Sequence, residues 1–339
     1  MQVWHRRVAG LVVAAVGATF IVLVIVNKLF TVGPAFERMS DGFRPAMKPA
    51  PITAIQQDLT GMQAVSAEFT TKGIPMFSQA LNMTPEEFTA FMQKQFPAVA
   101  TGIQQLPDIT TNFKAVVGTL SAEQARFARA DAIPTSSLPA TTVPWGLLAA
   151  GILLFGIGLL ILVRPEVVGP AMALTLGAML IVVPLTLSLP GKASAADLMN
   201  QHLKPVYTAQ LITGAKQSLA TVGAMGTQMQ TEMLPSLGQQ LGMDPAQLQT
   251  FLAQNMPAMS AMMQGMPGAL GRFTDLVTVF DQHLKDYDAI KSTQFGPIVW
   301  TMIWGGVVAM VGGAWALLFA RRRDVHRETV QPEAFSKAA

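Results

Sequence analysis

The sequence predicts an all-α integral membrane protein with four transmembrane helices. Hydrophobic residues make up 51% of its 339 residues and charged residues only 13%, whereas a soluble domain typically carries about 25% charged residues. Four apolar segments are long enough to cross a hydrocarbon core of about 30 Å. The chain also matches itself when it is shifted by 160 residues. Together these observations predict a duplicated membrane protein.

The four apolar segments have uncharged centres and are predicted to be the transmembrane helices. Their predicted ranges are residues 8–29, 143–163, 167–189 and 297–320. At a rise of about 1.5 Å per residue, each segment can span a bilayer. Asn27 and Lys28 follow the uncharged part of the first segment, where a signal peptide would have a small-residue cleavage site. The first segment is therefore interpreted as an uncleaved anchor.

Arginine residues flank three of the four segments. Arg6 and Arg7 precede the first, Arg164 follows the second, and Arg321–Arg323 follow the fourth. The positive-inside rule places all three clusters in the cytoplasm. The predicted cytoplasmic parts are residues 1–7, 164–166 and 321–339, and the predicted extracytoplasmic domains are residues 30–142 and 190–296. A composition rich in Ala, Val and Gly favours a bacterial plasma membrane.

A shift of 160 residues aligns the two predicted extracytoplasmic domains without a gap over most of their length. The matching pairs include Leu81/Leu241, Pro85/Pro245, Phe91/Phe251, Pro97/Pro257 and Phe113/Phe273. The first predicted span also falls on the third. We interpret this pattern as a tandem duplication of a helix, domain and helix, with both copies in the same orientation.

Each domain is predicted to be a bundle of about four or five short helices. Thr84-Pro85-Glu86-Glu87 has the pattern of a capping box with proline at the first helical position, and Asp244-Pro245-Ala246-Gln247 repeats it. Further helices are predicted at about residues 52–72, 97–106 and 109–130, with counterparts 160 residues later. No segment shows the alternation of a half-buried strand.

Methionine is frequent, with 21 residues that are concentrated in the second domain. A candidate partner or ligand surface consists of Met225, Met229, Met233, Met256, Met259, Met263 and Met266. A thioether cluster of this kind could bind Cu(I). Met225 and Met229, however, align with Val65 and Phe69 of the first copy. Core filling or an adaptable apolar groove is therefore favoured over copper.

Small residues recur at four-residue spacing in two of the predicted spans. The candidate helix-packing faces are Gly169, Ala173 and Gly177 on the third span and Gly305, Ala309 and Gly313 on the fourth. Small residues let helix backbones approach closely in a membrane, either within one chain or with a partner.

Several functional classes are disfavoured by the sequence. No ionisable residue lies inside an uncharged segment, which counts against a proton-coupled pump or an ion channel. The basic residues flank the spans and do not form a nucleic-acid surface. His202 and His283 align with Gly42 and Glu123, so they belong to no feature shared by the copies. Without cysteine or a recognised ligand spacing, no metal or cofactor is predicted. Catalytic and phosphate-binding motifs are also missing, so an enzyme is not expected.

Three functional hypotheses remain. The first is a non-catalytic, membrane-anchored scaffold or accessory subunit of the cell envelope, whose paired outer domains dock a partner protein or an amphiphile. The second is a subunit that transports lipids or hydrophobic small molecules. The third is a sensor of an extracytoplasmic ligand that acts through a partner. The expected partners are the lipid bilayer and a protein or second copy of the chain, with a lipid or apolar ligand as a further candidate and nucleic acid excluded.

Overall fold

The computed structural model describes residues 2–135, 137–164 and 167–328, with side chains for residues 4–135, 137–164 and 167–318. Helix accounts for 88% of the structure, and the described residues contain no β-strand. Only an isolated bridge joins Thr135 and Leu138. The prediction of an all-α protein is confirmed. Of the predicted cytoplasmic parts, residues 1, 165–166 and 329–339 lie outside the described residues.

The α-helices are numbered in chain order. They are α1 (Gln2–Val26), α2 (Leu29–Phe43), α3 (Pro49–Glu68), α4 (Ile74–Ala80), α5 (Pro85–Gln95), α6 (Pro97–Asp131), α7 (Thr142–Val163), α8 (Val168–Thr186), α9 (Leu189–Leu203), α10 (Ala209–Gln228), α11 (Leu234–Leu241), α12 (Pro245–Asn255), α13 (Pro257–Gln282), α14 (Leu284–Ile290) and α15 (Phe295–Glu328). Two π-helical turns, Phe69–Gly73 and Met229–Met233, follow α3 and α10.

Four helical segments are long and apolar enough to cross a membrane. They are Trp4–Val26, Thr142–Val163, Val168–Thr186 and Phe295–Leu318. The prediction of four membrane-spanning helices is therefore confirmed, with ends that differ by a few residues from those predicted. The first and third spans end earlier than predicted because Lys28 and Ser188 adopt positive φ angles of 50° and 54° and start a new helix.

The chain forms two compact units, which we call the span unit and the loop unit. The span unit comprises Met1–Ser40, Ala125–Gln201 and Asp286–Ala339. The loop unit comprises Asp41–Gln124 and His202–Lys285. The sequence predicted one helical bundle at residues 30–142 and another at 190–296, whereas the loop unit contains parts of both segments. Helix α3 of the first segment packs along α13 of the second, so the apolar faces of the two segments bury each other and form one core.

In the span unit, α1 packs against α7 and α15, and α8 packs against α15. Small residues allow this close approach. A Cβ atom added to Gly177 would lie 2.7 Å from the Gly306 carbonyl oxygen, and one added to Gly313 would lie 2.8 Å from the Pro170 carbonyl oxygen. These two candidate packing residues therefore lie at the contact between α8 and α15.

The other candidate packing residues also lie at contacts within the span unit. Ala173 and Ala309 are fully buried. Gly305 lies against Phe20 of α1, and Gly169 lies against Ile161 of α7. Both predicted faces are thus occupied inside one chain.

The predicted helix break near Pro107 is absent. Instead of helices at residues 97–106 and 109–130, the structure has the continuous helix α6, and α13 likewise continues through Pro267. A proline inside a helix costs about 3 kcal/mol because it removes one hydrogen bond and crowds the preceding turn. Residues before and after Pro107, such as Leu106 and Ile109, are buried, and their packing keeps the two parts of α6 along one axis. We attribute the continuity to their burial.

Element boundaries recur at a spacing of 160 residues. The capped helix α5 begins at Pro85 and α12 at Pro245, both after a complete capping box. The π-helical turns begin at Phe69 and Met229. In each turn the N–H of the following residue donates to the carbonyl five residues earlier, from Ile74 to Phe69 and from Leu234 to Met229. The helices that follow, α4 and α11, have proline as their second residue. Proline has no backbone N–H group, so it cannot donate the hydrogen bond of a regular α-helix.

Candidate functional site

The methionines of the candidate surface are mostly buried. Their exposed fractions are 3% for Met225, 3% for Met229, 1% for Met233, 0% for Met256, 1% for Met259 and 5% for Met266. Only Met263 is half-buried. Of the two interpretations of these methionines, as core residues or as a partner or ligand surface, burial favours the core for six of the seven. They fill the core of the loop unit, which agrees with the apolar residues at the aligned positions.

The buried methionines join the two segments of the loop unit. Met225 lies over Gly102, where an added Cβ atom would be 2.6 Å from its sulfur, and the methyl carbon of Met256 would be 2.9 Å from a Cβ atom on Gly73. Both contacts connect the second segment with the first. The cavity between Met62, Val65 and Phe69 on one side and the methionines on the other has a volume of only about 20 Å³, and its lining is almost entirely apolar. The two segments therefore pack closely in this region.

The two histidines of the loop unit lie at related contacts between the segments. The Nδ1 atom of His202 is 2.7 Å from the Oε1 atom of Glu123, whose side chain is 2% exposed. His283 lies over Gly42, where an added Cβ atom would collide with the imidazole ring. Because Gly42 aligns with His202 and Glu123 aligns with His283 when the chain is shifted by 160 residues, the two contacts occupy aligned positions.

The carboxylates near the histidines in the sequence have other roles. Asp281 lies 2.8 Å from Lys216, and Asp286 forms an ion pair of 2.5 Å with Arg38. Asp197 accepts hydrogen bonds of 2.7 and 2.8 Å from the N–H groups of Phe295 and Gly296 at the start of α15. No group of three His, Asp or Glu residues in the described part of the chain could hold a metal ion.

A cleft in the loop unit is the candidate functional site. It lies between α6, α10 and α13 and has a volume of about 610 Å³, within the range of about 300–1,000 Å³ that is usual for small-molecule pockets. Its apolar residues are largely buried: Phe280 is 4% exposed and Phe113 is 6% exposed. Val116, Ile212, Leu276 and Val277 belong to the same apolar lining. The cleft therefore has an apolar floor.

The rim of the cleft is polar and uncharged. Its polar residues are Gln105, Asn112, Thr208, Gln210, Gln217, Ser218 and Thr221. Most of them are exposed, and Ser218 and Thr221 are half-buried. None of the lining residues is Asp, Glu, Lys, Arg or His. The cleft thus offers hydrogen bonds above an apolar floor, and it offers no charge.

Two positions that align with cleft residues at the 160-residue shift form a closed contact. Asn112 and Ser218 of the cleft align with Arg272 and Asp58. Arg272 donates two hydrogen bonds of 2.7 Å to the two carboxylate oxygens of Asp58, which join α13 to α3. The side-chain hydrogen bonds to Asp58 also raise the pKa of Arg272, so this guanidinium stays charged at every physiological pH. A bidentate pair of this kind fixes the distance between two helices.

Side-chain size also distinguishes the cleft from the closed contact between α3 and α13. Ile55 of α3 is buried at 5% exposure, whereas the aligned residue in the cleft is Ala215. Gly214 also lines the cleft, and an added Cβ atom there would meet nothing within 4 Å. The smaller side chains of α10 leave the space that Ile55 fills on the closed side. The cleft therefore lies where the two aligned segments differ in side-chain size and charge.

A second cavity lies within the second segment of the loop unit. It measures about 480 Å³ and is lined by residues that include Leu234, Leu248, Leu252 and Met263. In the first segment Phe88 aligns with Leu248, and its ring lies 6.1 Å from that of Phe77. Met263 is thus the one candidate methionine that is both half-buried and part of a larger cavity among the described residues.

No protein-family model matches the sequence, and no curated protein is detectably similar to it. The residues of the cleft are therefore the ground on which a function is inferred.

Proposed function

We propose that this protein is a non-catalytic, membrane-anchored binding protein that holds an amphiphile in the cleft between α6, α10 and α13. The observation that carries the proposal is the combination of a buried apolar floor and an uncharged polar rim in one cleft of about 610 Å³. An amphiphile has the same two parts, an apolar chain and a polar headgroup. The four spans anchor the chain in the membrane.

The composition of the cleft favours binding over catalysis. General acid–base catalysis needs a residue that exchanges a proton near the operating pH, most often His, Asp, Glu or Lys. The cleft lining contains none of these residues. Its serine and threonine residues have no histidine or carboxylate in the lining to activate them as nucleophiles. Binding is therefore the simpler function for this cleft.

The proposal includes a tandem duplication whose two copies face the same side of the membrane. The recurrence of capping boxes and π-helical turns at a spacing of 160 residues supports the duplication. The arginines beside the spans support an extracytoplasmic position for the loop unit through the positive-inside rule. On this arrangement the cleft opens outside the cytoplasm of a bacterial cell. A protein partner or a second copy would then bind elsewhere on the chain.

Native mass spectrometry of the full chain tests the proposal. We expect the chain extracted without detergent, in polymer-bounded nanodiscs, to retain an amphiphile at about one molecule per chain, because an acyl chain that packs on the apolar floor of the cleft is removed from water. Leu248→Phe, which fills the second cavity with the residue of the first copy, serves as a matched control. Retention by the wild type and by Leu248→Phe supports the cleft. Loss of the amphiphile in Leu248→Phe would assign it to the second cavity instead, and a chain that retains none would refute the proposal.

A further inference from the structure

The lining of the cleft also defines the class of ligand that it accepts. This inference rests on the proposed function. A charged headgroup that enters a partly buried site loses hydration, and the loss is costly unless an opposite charge or several hydrogen bonds compensate for it. None of the lining residues carries a charge. The cleft therefore offers no ion pair to a phosphate, a carboxylate or an ammonium group.

Two ion pairs outside the lining are each neutral overall. Lys216 follows Ala215 on α10, and its Nζ atom lies 2.8 Å from Asp281. The charge of Lys216 is thus balanced locally, and the pair is about half exposed to solvent. Arg272 and Asp58 neutralise each other at the closed contact.

The polar rim suits a ligand with hydroxyl, ether or amide groups. Amide side chains such as Gln105, Asn112 and Gln217 donate and accept hydrogen bonds, and the hydroxyls of Ser218 and Thr221 do both as well. A sugar or glycerol headgroup also both donates and accepts. The volume of about 610 Å³ is that of a small-molecule pocket, which favours one acyl chain over two.

We infer that the cleft binds a single-chain amphiphile with an uncharged, hydroxyl-bearing headgroup, such as a monoacylglycerol or a single-chain glycolipid. The exchange of the charged pair Arg272 and Asp58 for Asn112 and Ser218 both opens the cleft and makes it neutral. Binding and charge selectivity therefore arise from the same two positions.

Competition among three amphiphiles with one saturated chain tests this inference. The probes are monopalmitoylglycerol, which is neutral, palmitoyl lysophosphatidylglycerol, which is anionic, and cetyltrimethylammonium, which is cationic. Native mass spectrometry of the full chain in phosphatidylcholine nanodiscs, which contain no detergent that could compete for the cleft, measures the occupancy of each. We expect monopalmitoylglycerol to bind at least about tenfold more tightly than either charged probe. A tenfold ratio corresponds to about 1.4 kcal/mol, and removing a charge from water without a compensating partner costs more than that.

A single charge placed in the cleft should redirect its selectivity. We expect Asn112→Arg to favour the anionic probe and Ser218→Asp to favour the cationic one, each by about tenfold relative to the wild type. Equal binding of the three probes by the wild type, or a preference for a charged one, would overturn the neutral class and leave amphiphile binding intact. Failure of the wild type to bind any probe would overturn both this inference and the proposed function.

Discussion

Combining Asn112→Arg with Ser218→Asp is expected to close the cleft and reduce amphiphile binding by at least about tenfold. These changes install the residues of the closed contact, where Arg272 and Asp58 form two hydrogen bonds of 2.7 Å. An arginine on α6 and an aspartate on α10 should pair in the same way and draw the two helices together. The side chains of the pair would also occupy the rim. Titration with monopalmitoylglycerol, followed by native mass spectrometry, measures the loss.

The matched control places the same two residue types outside the cleft. Thr53→Asp with Gln57→Arg forms an i, i+4 pair on the exposed face of α3. Since partly exposed ion pairs contribute about 0–1 kcal/mol, both double variants should unfold within about 1 kcal/mol of the wild type. Binding should survive in the control alone. Full binding by the cleft variant, with its fold intact, would show that the ligand lies elsewhere.

Thiol labelling is expected to give an all-or-none result for the topology. The wild-type chain has no cysteine, so any labelling of a single-cysteine variant reports on the introduced position. Thr53 and Thr213 are exposed residues of α3 and α10 that lie 160 positions apart. If both copies face outward, Thr53→Cys and Thr213→Cys should each react with an impermeant maleimide in intact cells, and mass spectrometry of the labelled chain reads the result.

Arg164→Cys, at the end of α7, provides the opposite control. Its thiol should react only after the cells are lysed, because the positive-inside rule places Arg164 in the cytoplasm. A thiol at position 53 or 213 that reacts only after lysis would reverse the proposed orientation. Reaction of one but not the other would contradict a parallel duplication.

Local features of the fold could be read from the sequence. The four spans follow from uncharged apolar length, which needs no knowledge of tertiary contacts. The capping boxes at Thr84 and Asp244 are also local, since the side chain of each N-cap bonds to the backbone three residues later. Both kinds of feature depend on residues that are close in the sequence.

The arrangement of the loop unit could not be read in this way. The contact between α3 and α13 joins residues that are far apart in the sequence: Glu68 and Met259 are separated by 191 positions, and Asp58 and Arg272 by 214. The self-comparison gave no indication of which helices of the two segments pack together. The sequence therefore left open whether the methionines fill a core or form a surface, a choice that depends on contacts such as those of Met225 and Met256 with glycines of the other segment.

The cleft left only an indirect signal. Self-comparison pairs Ile55 with Ala215, Asp58 with Ser218 and Arg272 with Asn112. These differences could be seen without a structure. Their meaning depends on which helices face each other, because only the three-dimensional contact shows that Asp58 and Arg272 form one pair and that Ser218 and Asn112 line one space.

Site-specific photocrosslinking tests the central claim most directly, since it locates the ligand. Gln217 lines the cleft, and Gln57 is the equivalent, also exposed, glutamine of the first copy. Each is replaced in turn by p-benzoylphenylalanine in the full chain, which is then loaded with monopalmitoylglycerol and irradiated. The account predicts a covalent adduct from position 217 and none from position 57. Equal adducts from both positions, or an adduct from position 57 alone, would contradict a ligand held in the cleft.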